Sequence, residues 1–347
     1  MKLFDSIKSY NYRSLLKHNE TFVFLVLLGF SLVVTIINPS FLSIENMFDL
    51  AKSSAGMAIL AIGVFVVLLS GGIDVSFTAV AISAQYIAVK ILVTYGINNL
   101  ALAFLISCMT GIALGSINAF LISIFRLPTL ITTLGTLSFF HGGLLEFVGS
   151  FPYYTGQIPD CFKNFGLAQV FTLVREDGTK FGLSVYVLIV LGVILMTWII
   201  LRYTMLGRGI YAIGGNREAA ERAGFNITRT QFFIYCYVGF LAGIMAIMHV
   251  SMIRYASPTL SIVGEELNVI AAVVIGGARI TGGSGSILGT LLGVALIVAI
   301  QKNLVLIGLS SFWHQFFVGL IIIVGVSITY YQSLRRSQQR VVYMEEL

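Results

Sequence analysis

Long apolar runs separated by short polar segments dominate the chain. Each run approaches the length of about 20 residues that a helix needs to cross a bilayer core of roughly 30 Å. Ten runs can be marked, at 21–38, 55–70, 76–95, 100–125, 129–149, 182–201, 231–250, 266–277, 286–302 and 313–331. The run at 266–277 is short for a full span, so we expect it to be tilted, extended or broken. The pattern predicts an all-α integral membrane protein of about ten transmembrane helices.

Composition supports a lipid environment. Of the 347 residues, 57% are apolar and 10% charged, whereas a soluble domain carries about 25% charged residues. Too few charges remain to cover a soluble core, and the loops leave no room for a soluble catalytic domain. Three scattered cysteines and four histidines form no disulfide framework, metal cluster or catalytic dyad. We therefore expect no catalytic residue, no metal and no cofactor on this chain.

The net charge of +6 is distributed as in membrane proteins and not as in nucleic-acid-binding proteins. Basic residues cluster between the apolar runs. With ten crossings and a cytoplasmic N-terminus, fourteen of the 21 Lys and Arg fall on the cytoplasmic side, as the positive-inside rule requires. No small-residue cleavage site follows the first run, which predicts an uncleaved first helix.

These boundaries predict three segments. A cytoplasmic N-terminal segment covers 1–20, a transmembrane domain covers 21–331 and a cytoplasmic tail covers 332–347. Inside the transmembrane domain, 151–181 is predicted to be a long outer loop and 202–230 a cytoplasmic loop. The outer loop and the shorter outer segment 251–266 either bind a soluble partner or cap the helices.

The first candidate site is the polar segment 70–76 between two apolar runs. Gly71 and Gly72 allow a sharp turn and close approach to a ligand, and Asp74 and Ser76 follow directly. A carboxylate at membrane depth usually faces a cavity or a partner. Asp74 is therefore predicted either to line the substrate pathway or gate, or to cap the next helix from a plain cytoplasmic turn; both roles are compatible.

The second candidate site is the polar loop 213–226. Asn216 is a good N-cap, Glu218 favours the positive start of a helix, and Gly224 is a good stop. Glu218 and Arg222 form an i,i+4 pair, so one short surface helix is predicted. One side of this helix, called its smooth flank here, carries the small side chains of Ala219, Ala220 and Ala223. Such a helix suits the groove of a partner protein, or it is an inert connection.

The third candidate site begins at Glu266 and Asn268 and continues into two glycine pairs. Gly276-Gly277 and Gly282-Gly283 permit close helix packing and flexible turns. No Gly-Lys-Ser/Thr ending accompanies them, so a nucleotide site is not predicted. Glu266 and Asn268 near the outer end of a helix are either gate residues or ordinary surface polar residues.

A glycine-leucine-glycine spacing that occurs twice suggests an inverted repeat. Gly111, Leu114 and Gly115 have the spacing of Gly285, Leu288 and Gly289, and each trio is predicted to open an apolar helix. In the predicted topology these helices run in opposite directions; the match also suits chance in a glycine-rich chain.

Taken in order and spacing, the three motifs resemble the permease family of ABC-type monosaccharide importers, the ribose, xylose, arabinose and autoinducer-2 group. The resemblance covers nearly the whole chain. It is carried by Gly71 to Ser76, by Gly214 to Gly224 and by Glu266-Leu267 with the following glycines. The family often has leucine at Val75, glycine at Thr78 and aspartate at Asn268. The latter two departures bear on which sugar is carried and on the outer gate.

The resemblance implies a channel worked by partner proteins. Two permease chains, identical or paired with a sister chain, would bind two ATP-binding ABC subunits and receive a small sugar from a soluble binding protein at the outer face of a bacterial inner membrane. Eight residues would contact the ATPase: Gly215, Asn216, Arg217, Glu218, Ala219, Ala220, Ala223 and Gly224.

Other classes remain open alternatives. A secondary transporter driven by an ion gradient would need more carboxylates along the spans. A membrane-embedded enzyme would need a dyad or a metal cluster. A passive channel would carry solute without a partner. The sequence does not identify the sugar.

Overall fold

The computed structural model describes most of the predicted transmembrane domain. The described residues are 19–175, 178, 180–259 and 262–304, together with 308, 310, 313, 315–320, 323 and 327. Residues 1–18 of the predicted segment 1–20, most of the tenth run at 313–331 and the predicted tail 332–347 lie outside these ranges. The count of ten helices therefore stays a prediction.

Nine of the ten apolar runs have a helix in the part of the chain that the structure describes. The helices are α1 (Asn19–Ile37), α2 (Ile44–Leu69), α3 (Phe77–Thr94), α4 (Leu100–Ser123), α5 (Thr129–Gly143), α6 (Asp160–Leu167), α7 (Tyr186–Tyr203), α8 (Met205–Gly215), α9 (Arg217–Arg222), α10 (Ile227–Ile253), α11 (Glu266–Ile275) and α12 (Ile287–Asn303). A 3-10 turn, Pro39–Leu42, precedes α2, and a π turn, Leu144–Val148, ends α5. By length and composition, six of them (α1, α2, α3, α4, α7 and α10) can span a membrane, while α11 and α12 are shorter apolar helices. The all-α membrane class is confirmed.

Three helices form the centre of the bundle. In each of α2, α3 and α10, 72% of the residues in the most apolar 18-residue stretch are buried, compared with 11% in α1 and 22% in α4 and α7. Phe65 and Ile59 of α2 and Leu241 of α10 have no exposed surface. The outer helices instead expose large apolar side chains, including Leu105 and Leu195. These exposed side chains suit contact with lipid, because hydrocarbon is as apolar as they are.

Helices α4 and α10 pack with their backbones in contact. A β-carbon at Gly239 of α10 would overlap the carbonyl oxygen of Gly111, and one at Gly115 would overlap that of Tyr235. Hydrogen bonding adds to the packing, since Ser107 Oγ donates to the Gly243 carbonyl at 2.7 Å. Small residues permit this approach in a membrane, where association relies on van der Waals contact.

The prediction that each glycine trio opens a helix is wrong for one of the two trios. Gly111 and Gly115 lie in the interior of α4 and do not open it, because they serve the contact with α10. Gly289 lies near the start of α12, where a β-carbon would overlap the carbonyl oxygen of Gly276 after α11. The two trios therefore pack against different helices, and the inverted repeat stays a prediction.

One end of the bundle is formed by residues 150–185, here named the hairpin end. The sequence predicted only a long loop there, but it contains α6 and two antiparallel strands, β1 (Gln169–Val174) and β2 (Lys180–Ser184). Thr172 pairs with Gly182, and the register shifts between Gln169 and Phe171. A lysine of the bundle fixes this layer, since Lys52 Nζ donates to the Gly166 carbonyl at 2.9 Å. Lys90 Nζ donates to the Val148 carbonyl, just before the layer begins.

We expect Gly239→Ala to destabilise the bundle. The added carbon would meet backbone of α4 that has no rotamer with which to move away, and overpacking of this kind costs about 1–3 kcal/mol. The melting temperature of the detergent-solubilised protein measures the effect. Gly192→Ala in α7 is the matched control, because nothing lies within 4 Å of its added carbon. Equal melting temperatures of the two variants would contradict the backbone contact.

Candidate functional site

Glycines of the three sequence motifs meet at the end of the bundle opposite the hairpin end. The backbone segments 69–72, 214–215 and 281–283 lie against one another, and we name this contact the glycine junction. Gly283 N donates to the Leu69 carbonyl at 2.9 Å. The junction joins the end of α2, the end of α8 and the turn between α11 and α12.

The glycine junction excludes side chains. A β-carbon at Gly214 would overlap the Leu69 carbonyl oxygen, and one at Gly282 would stand 2.8 Å from Gly214 Cα. Gly71 and Gly282 also have φ angles of 78° and 91°, which only glycine adopts readily. The three segments therefore touch through backbone, and a displacement of one must move the others.

Asp74 lies buried beside the junction, with 2% of its surface exposed. Its Oδ1 accepts hydrogen bonds from Ser76 N and from Ser76 Oγ, both at 2.7 Å. Asn118 Nδ2 of α4 donates to the same Ser76 oxygen at 2.7 Å. The carboxylate accepts a backbone N–H at the entry to α3, as the predicted cap would, but it is enclosed by helices and does not lie in an open turn.

Helix α5 holds the same turn from the other side. Ile73 N donates to Thr129 Oγ1 at 3.1 Å and Val75 N donates to Thr133 Oγ1 at 3.3 Å. Two backbone N–H groups that no helix satisfies thus find partners inside the protein, as a non-helical segment at membrane depth requires.

Glu266 is buried as well, with 9% of its surface exposed. Thr78 Oγ1 of α3 donates to Glu266 Oε1, and Gly264 N donates to Oε2 at 2.9 Å. Because Thr78 and Glu266 lie in the first turns of α3 and α11, the carboxylate is placed near the positive ends of two helix dipoles. The alternative that Glu266 is an ordinary surface residue is wrong.

The short helix α11 sets the depth of this contact. Its ten residues rise about 15 Å, which is about half of the roughly 30 Å hydrocarbon core. Ile275, at the other end of α11, leads directly to the junction. Glu266 therefore lies about half a membrane away from the junction, where the N-termini of two helices meet, as in transporters with broken helices.

Thr78 and Asn268, two positions at which the chain departs from the resembled family, contact the neighbouring carboxylates Glu266 and Glu265. Thr78 bonds Glu266, and Asn268 Nδ2 donates to Glu265 Oε2 at 2.7 Å. Asn268 is half-buried and does not touch the junction. The structure thus separates the predicted gate residues into one group at the junction (Gly71, Gly72, Asp74 and Ser76) and a second group on α11 (Glu266 and Asn268).

The predicted surface helix is confirmed as α9. Asn216 Oδ1 accepts from Ala219 N at 3.0 Å, Glu218 and Arg222 pair at 3.8 Å, and Gly224 has a φ of 86°. These contacts start, brace and end the helix. Since α9 starts directly after Gly215, it is joined to the junction without a linker.

The predicted smooth flank of α9 needs one correction. Ala220 is 3% exposed and packs with Ile213 and Ile227, so it anchors the helix to the protein. The other predicted contact residues are exposed: Gly215, Asn216, Arg217, Glu218, Ala219, Ala223 and Gly224. Helix α8, which carries α9, was not predicted as a helix.

The polar residues that the sequence analysis missed share one signal. Thr129 and Thr133 of α5 and Asn118 of α4 are hydroxyl or amide side chains inside apolar runs. Such residues carry hydrogen bonds between helices in a membrane, but their spacing does not identify the partner.

The amino-acid sequence matches the family described as the permease component of the branched-chain amino acid transport system, over residues 46–326. The chain belongs to this family. It is therefore a multi-pass membrane permease and not an enzyme. No solved structure matches it.

Individual relatives are similar over nearly their whole length. A ribose import permease of Escherichia coli is 30% identical over 90% of this chain and 94% of its own. A ribose import permease of Bacillus subtilis is 34% identical, with coverage of 87% and 90%. An autoinducer 2 import permease of an Enterobacter species is 30% identical, with coverage of 95% and 93%. The predicted resemblance to ABC monosaccharide permeases is confirmed.

We expect Asp74→Ala to lower the melting temperature of the purified permease. The change leaves the buried Ser76 N–H without its acceptor, and an unsatisfied buried group costs about 1–3 kcal/mol. Asp49→Ala, at an exposed position of α2, is the control. If both variants melt together, the hydrogen bonds at Asp74 do not stabilise the turn.

Proposed function

We propose that this chain forms the translocation path of an ATP-driven importer in the bacterial inner membrane, for a monosaccharide or a similar small polar solute. Its relatives are import permeases for ribose and autoinducer 2. A second permease chain, two ATP-binding ABC subunits and a soluble binding protein complete the transporter. The chain is a conduit, and free energy enters through an interface with the ATPase.

The contact of α9 with the glycine junction is the observation that supports this coupling best. Ala220 packs α9 against the rest of the protein, while the side chains of Glu218 and Arg222 are about 85% exposed. A partner that grips this outer face would move Gly214 and Gly215 with it. Because the junction consists of backbone in contact, the displacement reaches the end of α2 and the start of the Asp74 turn.

The second half of the mechanism concerns the gate. The turn after α11 belongs to the junction, and the start of α11 carries Glu266. A shift of α11 relative to α3 would break or restore the bond between Thr78 and Glu266. With this hydrogen bond formed, the path is open to one side of the membrane, and with it broken, to the other side. Nucleotide binding and hydrolysis by the partner shift the populations of these two states.

Orientation follows from the same assignment. The junction and the loop 202–230 face the cytoplasm, with both termini on that side, and the hairpin end faces outward. The segment 151–181 and the exposed strand β1 then meet the soluble binding protein. The basic residues of the loop agree with this direction.

The first test is reconstitution of the purified chain alone in sealed vesicles. We expect no accumulation of D-ribose, because in this proposal free energy enters only from the ATPase. Vesicles that also contain its ATPase and binding protein should accumulate the transported sugar when ATP is supplied. Accumulation by the chain alone under an ion gradient would overturn the proposal in favour of a secondary transporter, and equilibration without any gradient would favour a passive channel.

We expect Glu218→Lys to lower ATP-dependent uptake about fivefold or more, a change typical of a lost coupling energy, without changing the amount of protein in the membrane. The charge faces outward, so the fold does not need it. Uptake per molecule of permease measures the effect.

The double reversal Glu218→Lys with Arg222→Glu separates docking from helix stability. It restores an i,i+4 pair inside α9 but presents the charges to a partner in the opposite order. Uptake that stays low in the double variant supports docking. Recovery to the original rate would mean that the pair only stabilises α9.

A further inference from the structure

A cavity of about 470 Å³ opens between four helices on the hairpin side of Glu266. Its volume lies within the range of about 300–1,000 Å³ that is typical of small-molecule sites. The lining residues come from α2, α10, α11 and α12 and the segment before α11: Ser53, Met57, Leu60, Met245, His249, Met252, Ile262, Glu265, Val269, Val298, Gln301 and Lys302. We propose that this cavity is a sugar subsite inside the permease, with His249 as its central hydrogen-bonding group; this rests on the function proposed above.

The position of the cavity fits a stage of transport before the gate. Glu265 and Val269 of the lining flank Glu266 in sequence, so the cavity lies beside the bond between Thr78 and Glu266. Glu265 and Lys302 are exposed, which places its opening towards the hairpin end. A solute that enters from that end would stop here while the bond is closed.

His249 is held in a fixed state by a second residue. Its Nδ1 lies 3.0 Å from Oε1 of Gln85 on α3, and Gln85 is 1% exposed and does not line the cavity. The Gln85 amide holds the Nδ1 edge of the ring. Nε2 is therefore the ring nitrogen left to form a hydrogen bond with a hydroxyl group of the solute.

The remaining lining favours a neutral polyhydroxy solute over an ion. Only two lining side chains, Glu265 and Lys302, carry a full charge, and the charges are opposite. Ser53 and Gln301 add groups that both donate and accept. Three methionines, Met57, Met245 and Met252, supply adaptable apolar surface for the C–H faces of a sugar. Asn268, where the family often has aspartate, positions the lining residue Glu265 through its hydrogen bond.

The test uses the host organism with the chromosomal copy removed and variants restored at equal abundance. Uptake of labelled D-ribose, D-xylose, L-arabinose and D-glucose is measured for each. We expect His249→Ala to lower uptake about tenfold and to change the ranking of the sugars, and His249→Gln, which keeps an acceptor, to restore part of the rate. Cys236→Ala on the same helix is the control, since Cys236 does not line the cavity.

A second measurement does not depend on the rate. Gln301→Cys is placed in a background in which Cys108, Cys161 and Cys236 are alanine, and its labelling by a small hydrophilic thiol reagent is followed. A sugar that the host transports through the original chain should slow labelling several-fold, and a sugar that is not transported should leave it unchanged.

The outcomes separate the two proposals. If removal of the chromosomal copy leaves uptake of every sugar unchanged, the proposed function fails. The subsite is overturned, and the proposed importer function is kept, by a different set of results. In that set the original chain restores uptake, His249→Ala has the rates and sugar ranking of the original, and the sugar does not change the labelling rate at position 301.

Discussion

Lipid gives helices no hydrophobic reason to associate, so a bundle in a membrane is held by close van der Waals packing and by hydrogen bonds between helices. In this permease the close packing depends on residues that have no side chain. Gly111 and Gly239 bring α4 against α10, and Gly276 and Gly289 bring α11 against α12. Any larger residue would separate these pairs, and the positions of the helices that carry polar groups would change with them.

The same constraint determines how motion can pass through the molecule. At the glycine junction the backbone of three distant segments is in contact, and no flexible side chain lies between them to absorb a displacement. In the mechanism proposed above, a force applied at α9 would reach Asp74 along one branch and Glu266 along the other. Asp74 and Glu266 are both hydrogen-bonded inside the protein in the present arrangement, so a second arrangement would need other partners for them.

Features governed by local chemistry could be predicted from the sequence. Asn216 caps α9 because a short polar side chain reaches the N–H three residues later, and Gly224 ends it because glycine adopts a positive φ. The apolar runs marked the transmembrane helices for a similar reason, since lipid demands a long apolar surface. The hairpin and α8 were missed: strands β1 and β2 and the amphipathic α8 lie in segments with mixed polarity, where periodicity carries less information.

By itself, the sequence determined the membrane class, the existence of most helices, the small surface helix and, through three ordered motifs, the family. It could not place those motifs in one junction, because contact between residues 71, 214 and 282 depends on the path of the chain through the bilayer and not on any local preference. For the same reason, only the tertiary structure showed that Glu266 is buried against Thr78. It likewise brought His249 and Gln85 together beside a cavity, since each looks like an isolated polar residue in an apolar helix until the helices pack.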